Sequence, residues 1–144
     1  MGYIIGEGSS IHLGCKFNGS AFLHIGTNST INQFCRLDNR APIVIGNNVS
    51  ISPYVKLLTA DHDMNDPQCL GREREIIIED YVFIGADAMV LGGVRMSKGS
   101  VLAAKALLSK STESFGIYSG LPATRKSQRN QDLDYSASYN RLFN

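Results

Sequence analysis

LHIGTNSTINQFCRLDNRAPIVIGNNVSISPYVKLL (residues 23–58) carries the pattern that decides the fold, an aliphatic residue at every sixth position: Ile25, Ile31 and Leu37, then Ile45, Ile51 and Leu57. The spacing extends backward through Ile5, Ile11 and Phe17 and forward through Ile78, Ile84, Val90, Met96, Leu102 and Leu108. Four positions after the aliphatic residue stands a small or β-branched one, as at Ser9, Cys15, Ser29, Cys35, Val49, Val55, Val82, Ala88, Val94, Ser100 and Ala106. Glycine follows the aliphatic residue at Gly6, Gly26, Gly46 and Gly85. A six-residue unit is neither a helix face, which repeats near 3.6, nor a long strand, which alternates every second residue. It fits a short strand plus a turn, three of which close a triangular coil. Ile5, Ile25 and Ile45 stand 20 residues apart, which is three such units plus two residues, and Ile78 to Met96 returns to 18. Stacked coils then bury the six-spaced residue and place Cys15, Cys35 and Val55 in one small-residue column.

The bulk composition agrees with one globular domain. The chain has 144 residues, 43% hydrophobic and 19% charged, and its 14 glycines point to many tight turns. No apolar run approaches the roughly 18 residues of a membrane span, and MGYIIGEGSS has no signal-peptide pattern, so the expected location is cytoplasmic. Cys15, Cys35 and Cys69 are an odd set without a CxxC pair, which argues against a disulfide framework and a zinc site. The formal charge of +1 conceals an acidic stretch from Asp61 to Asp87 and a basic one from Arg95 to Arg129. In the second, Arg95, Lys98, Lys105, Lys110, Arg125, Lys126 and Arg129 face a single acid, Glu113. That stretch is a candidate polyanion site.

The motif [LIV]-Gly-x-x-small-x, running across residues 5 to 112, resembles the hexapeptide-repeat acyltransferases. The resemblance implies an all-β fold, a left-handed parallel β-helix in the form of a triangular prism, with one extended loop and a short C-terminal tail. Handedness comes from the resemblance alone, since left-handed crossovers run against the usual rule. The expected division is a β-helix over residues 1–120, containing a loop at 59–77, followed by a tail at 121–144 whose pattern does not settle its conformation.

Repeat proteins place function at insertions, and the repeat breaks hardest in LTADHDMNDPQCLGREREI (residues 58–76). The flanking stretches IVIGNNVSISPYVKLLTADHD and IIIEDYVFIGADAMVLGGV resemble galactoside, maltose, nodulation and colanic-acid types of O-acetyltransferase. In those relatives the loop supplies the catalytic histidine, and His62 is the matching residue. Asp61 and Asp63 flank it, and either is a candidate to orient its ring. Asn32 aligns with the family's acceptor-contacting asparagine, or else it satisfies local backbone. The family's carboxylate further along that coil falls on Arg40, leaving Asp38 and Asn39 as nearby polar alternatives.

The resemblance also implies acetyl-CoA as co-substrate. Backbone groups at Ala104 and Lys105, in SVLAAKALLSK, match the pantetheine contacts, and Ser109 and Lys110 match positions nearer the nucleotide. YSGLPATRK resembles the closing G-x-P-A-[KR] signature, bringing Arg125 and Lys126 toward the phosphates. Phe83 stands where sugar transferases often carry tryptophan, as channel wall or core, and a backbone N–H near Ala86 is the expected oxyanion donor. The expectation is acetyl transfer to a hydroxyl of a sugar or polysaccharide precursor, with His62 as general base, by a homotrimer whose sites lie between subunits. No metal and no nucleic-acid partner are expected. An N-acetyltransferase acting on an amino sugar is the nearest alternative. A γ-class carbonic anhydrase-like zinc protein is a more distant one, because His12, His24 and His62 lack that family's spacing.

Overall fold

A computed structural model describes residues 2–139, and among them every regular element is a strand. The first coil holds β1 (Tyr3–Ile5), β2 (Ser10–Ile11) and β3 (Lys16–Phe17), and the second β4 (Leu23–Ile25), β5 (Thr30–Ile31) and β6 (Arg36–Asp38). The third holds β7 (Ile43–Ile45), β8 (Ser50–Ile51) and β9 (Lys56–Leu58). After an excursion through β10 (Ala60–His62) and β11 (Gly71–Glu73), the fourth coil holds β12 (Ile76–Ile78), β13 (Phe83–Ile84) and β14 (Met89–Leu91). The fifth holds β15 (Arg95–Met96), β16 (Val101–Leu102) and β17 (Leu107–Leu108); β18 (Gly116–Gly120) opens the sixth and folds back as β19 (Ala123–Gln128).

Three sheets form the faces of the prism. Sheet A is β1-β4-β7-β12-β15, sheet C is β3-β6-β9-β14-β17, and sheet B runs β2-β5-β8-β13-β16-β18-β19. Every pairing between coils is parallel, and β18 with β19 is antiparallel. This is the stacked, parallel three-faced coil expected from the six-residue period, consistent with the left-handed β-helix that the resemblance implies. Pairing is in register, so identical positions stack: Ile25 lies opposite Ile45 and Ile45 opposite Ile78, Ile31 opposite Ile51 and Ile51 opposite Ile84. Their side chains are essentially without solvent exposure and form the core. Each contributes about 1.5–3 kcal/mol by leaving water.

The turns between strands recur in columns as well. Between sheets B and C, Phe34, Tyr54, Asp87 and Lys105 all adopt positive φ, where the first coil has Gly14. The Cys15, Cys35, Val55, Ala88 and Ala106 column follows one residue later. Cys35 is buried, and burial pushes its thiol up to about 12, whereas Cys15 in the first coil is half-exposed.

β19 extends sheet B beyond residue 120, pairing antiparallel with β18 at the edge of the sheet. From residue 129 to residue 139 the chain forms no regular element, and it runs back down the prism. Arg129 Nη1 donates to the carbonyls of Tyr81 (2.7 Å) and Gly99 (3.2 Å), and Nη2 to the Tyr135 hydroxyl (2.7 Å). Tyr135 packs edge-on against Tyr81, the Thr30 hydroxyl donates to the Ala137 carbonyl, and Tyr139 meets the ring of His12. The tail thereby covers part of sheet B from the fifth coil to the first. Positions 140–144 of the expected tail lie outside the described residues.

Candidate active site

The insertion leaves the prism at the corner between sheets C and A, and it is a β-hairpin rather than an irregular loop. β10 pairs antiparallel with β11, setting Ala60 opposite Glu73, Asp61 opposite Arg72 and His62 opposite Gly71. Its base is closed by the Arg74 N–H to the Thr59 carbonyl (2.8 Å). Gly92, from the same corner one coil above, lies against that base: a Cβ there would stand 2.7 Å from the Thr59 oxygen and 2.9 Å from the Arg74 oxygen. Only glycine allows so close an approach to two backbone carbonyls.

His62 sits at the outer end of β10, exposed, with Nδ1 2.8 Å from the Cys69 carbonyl oxygen. A carbonyl only accepts, so in the neutral ring Nδ1 carries the proton and Nε2 presents its lone pair to the surroundings. Neither flanking carboxylate orients the ring. Asp61 accepts from Arg72 Nε (2.8 Å) and Nη2 (2.9 Å) and from Arg74 (3.3 Å), and the Arg72 hydrogen bonds hold its carboxyl below the usual carboxylate range. Asp63 accepts from the Asn65 N–H, and Asp66 from the Gln68 N–H, two Asx turns that shape the tip. Successive residues of a strand point to opposite sides of the ribbon, so Asp61 faces away from His62.

The other expected acceptor residues are placed differently. Asn39 is fully buried; its amide donates to the Ala21 carbonyl and the Tyr3 hydroxyl and accepts from the Gly19 N–H. It knits neighbouring coils together and does not line the surface, which removes it from the acceptor site. Asp38 is 5% exposed and grips Arg40 through both oxygens, which holds its carboxyl low. Asn32 lies at the corner between sheets B and C, its amide donating to the Ile51 carbonyl (2.9 Å), the local backbone role. Within one chain Asn32 and His62 therefore border opposite edges of sheet C.

The expected CoA residues also divide. Ala86 and Lys105 meet at the corner between sheets B and C, where the Lys105 N–H donates to the Ala86 carbonyl (2.9 Å), and Ala104 lies beside Gly85. Phe83, 37% exposed, is on the outer side of sheet B between Ser50 and Val101. Ser109 and Lys110 follow β17, across sheet C from that corner. Arg125 and Lys126 lie on β19, with Arg125 paired to Glu113 (2.7 Å). One chain does not gather all of these into one groove.

A groove the sequence did not reveal lies on sheet C itself. It measures about 250 Å³ and is lined by Lys56, Asp87, Met89, Lys105, Leu107 and Leu121. Asp87 bridges Lys56 and Lys105 at 2.9 Å each, and these hydrogen bonds, that of Lys105 foremost, hold its carboxyl low. His12, His24 and His62 belong to three separate parts of the prism, and among the described residues no three His, Cys, Asp or Glu side chains gather as a metal set.

No family model matches the chain. A 48-residue segment is 44% identical to the 2,3,4,5-tetrahydropyridine-2,6-dicarboxylate N-acetyltransferase of Staphylococcus aureus, covering 33% of this chain and only 20% of that relative. Among solved structures, the hexapeptide-repeat acetyltransferase VCA0836 of Vibrio cholerae, complexed with acetyl-CoA, matches with a TM-score of 0.80 and 25% identity over 88% of this chain and 71% of that one. The N-acyltransferase AntD of Bacillus cereus, solved with dTDP and 3-hydroxybutyryl-CoA, matches with a TM-score of 0.82 and 20% identity, covering 90% and 73%. A galactoside acetyltransferase in complex with coenzyme A gives 0.74 and 19%, covering 93% and 72%. The last two likenesses concern the fold.

Proposed function

We propose that the protein is an acetyl-CoA-dependent acetyltransferase in which His62 removes the proton of a sugar hydroxyl. The observation that carries this reading is the Nδ1–H of His62 tied to the Cys69 carbonyl on a hairpin inserted into the prism. That contact fixes both the tautomer and the ring plane, leaving Nε2 as the free base. When the proton arrives, the same carbonyl stabilises the imidazolium. A thioester is already activated, so the protein needs to align two substrates and move one proton, without an acyl-enzyme. The groove over Met89, Leu107 and Leu121 suits the apolar pantetheine arm, with Lys56, Asp87 and Lys105 as its polar lining. VCA0836, a relative of the same fold, was solved with acetyl-CoA, which supports the choice of donor.

The site is completed by a second copy. His62 and the corner carrying Ala86 and Ala104 border opposite edges of sheet C, so a neighbouring prism is needed to bring a base and a donor groove together, as in a homotrimer. A second reading, N-acetylation of an amino sugar, draws on the N-acyltransferase relatives and differs in the acceptor atom. The deciding experiment measures CoA release over a set of sugars, amino sugars and nucleotide sugars, for the wild type and His62→Ala. Loss of general-base catalysis lowers turnover by roughly 10²–10⁴-fold while acetyl-CoA still binds. Unchanged turnover removes His62 from the mechanism.

A further inference from the structure

The outer face of sheet C carries a column of cations, two of which, Lys16 and Arg36, are accounted for neither by the fold nor by the groove given to acetyl-CoA. In-register pairing sets Lys16 directly opposite Arg36, and Arg36 opposite Lys56. Parallel rungs lie about 4.8 Å apart, so three cations stand in line over about 10 Å. Like charges placed opposite one another across strands are destabilising. The fold does not require them, because the equivalent outward positions of sheet B in the same coils are Ser10, Thr30 and Ser50, and those of sheet A are Ile4, His24 and Val44.

The protein leaves most of this charge uncompensated. Lys56 shares Asp87 with Lys105. Arg36 donates through Nε to the neutral Asn18 side chain (2.9 Å), which aims the guanidinium, and it has no salt bridge among the described residues. Lys16 has neither a side-chain hydrogen bond nor a salt bridge among them. Asp38, the nearest carboxylate on the same strand, is already held by Arg40. Above Lys56 the column continues with Met89 and Leu107, the apolar floor of the groove described above. Lys56 stands at the lower rim of that groove, Lys16 and Arg36 lie in the two coils beneath it, and the hairpin bearing His62 leaves the edge of the same sheet between the third and fourth coils.

We propose that Lys16, Arg36 and Lys56 form a binding strip for an anionic acceptor, one with at least two negative groups attached to or flanking the sugar. The assignment to the acceptor rests on the acetyltransfer reading, which gives the groove above to the donor. An acidic oligosaccharide and a nucleoside diphosphate share this chemistry. The strip acts by charge-assisted contacts along an exposed face, so its affinity is strongly salt-dependent.

Calorimetry on the full chain tests it, with trigalacturonate and thymidine diphosphate as probes at low and high salt, for the wild type and the Lys16→Gln/Arg36→Gln double variant. The proposal expects at least one probe to bind, with affinity falling about tenfold or more on raising salt, and the double variant to lose about tenfold and most of the salt dependence; which probe binds identifies the source of the anion. Binding of neither probe, or equal binding by both proteins, overturns it. Acetyl-CoA affinity is titrated in parallel and stays unchanged in the double variant. A wild type that binds a probe but not acetyl-CoA refutes the acetyltransfer reading and leaves the strip standing, so the two failures are distinguishable.

Discussion

Replacing Gly92 by alanine separates the positioning of His62 from the stability of the prism. The added methyl would lie 2.7 Å from the Thr59 oxygen and 2.9 Å from the Arg74 oxygen, against a usual carbon–oxygen approach of about 3.3 Å or more. Both oxygens are backbone, so no side chain rotates away; the base of the hairpin must shift by about half an ångström. Overpacking of this kind costs about 1–3 kcal/mol, or roughly 3–10 °C in Tm for a chain of this size. His62 lies three residues beyond Thr59, so the shift is carried to the ring. An error of about 1 Å in a reacting group costs about 100-fold, and Gly92→Ala should therefore lose roughly 10- to 100-fold in kcat with acetyl-CoA affinity retained. Gly93 provides the control. At φ 87° an alanine is strained by about 1–2 kcal/mol, but it meets only the Arg74 side chain, at 3.5 Å. Gly93→Ala should thus lose comparable Tm and keep most of its kcat. Thermal melts and CoA-release kinetics on both variants, with any acceptor the wild type accepts, give the answer. If kcat falls equally in the two, or stays near wild type in Gly92→Ala despite a lower Tm, hairpin placement does not govern the chemistry.

Two further expectations concern single groups. Asp61 is held low chiefly by Arg72, so the ion pair contributes above the ordinary carboxylate value near 3.9 and is lost as pH falls through the lower folded value. Because the pair is exposed, its effect is small and local: amides of β10 and β11 should lose exchange protection below about pH 4, after correction for intrinsic rates, while β7 and β12 keep theirs, and a uniform response would contradict the assignment. Iodoacetamide at pH 8 should label Cys69 rapidly and leave Cys35 unreacted, since burial raises its thiol to about 12; mass spectrometry showing early modification of Cys35 would contradict its place in the core.

The parts of the molecule that were readable in the sequence are those that obey its period. Ile25, Ile45 and Ile78, or Ile31, Ile51 and Ile84, are core because one repeated turn geometry returns every sixth residue to the same column. What escaped was fixed by interactions off that period. The interruption after Leu57 was evident, but the hairpin within it depends on pairing Asp61 with Arg72, eleven positions along. The group that orients His62 is a backbone carbonyl, to which any residue at position 69 contributes equally, so no side-chain pattern could mark it. Asn39 was misplaced for a related reason: the 20-residue coils spend their two extra residues at the corner between sheets C and A, where inward and outward positions no longer follow the count of six. The tail has neither period, and its course is set by Arg129 reaching carbonyls of the fourth and fifth coils.

These irregular features also distinguish the three faces. Sheet B is partly covered by the chain's own tail, with Thr30 only 2% exposed beneath it. Sheet A presents Ile4, His24, Val44, Ile77 and Arg95 outward, with an apolar recess of about 320 Å³ over Val44 and Ile77, rimmed by the Arg95 and Glu79 ion pair. Sheet C presents cations below and an apolar groove above, and the His62 hairpin stands at its edge. In the proposed trimer each prism must give one surface to packing and another to substrate. Burying sheet C against a neighbour would desolvate Lys16 and Arg36 without a carboxylate partner, at a cost that grows with burial. Burying sheet A would cover aliphatic side chains and leave sheet C open beside the adjoining subunit. The charge distribution therefore favours sheet A for packing and sheet C for the substrates, which is also the face that the hairpin borders.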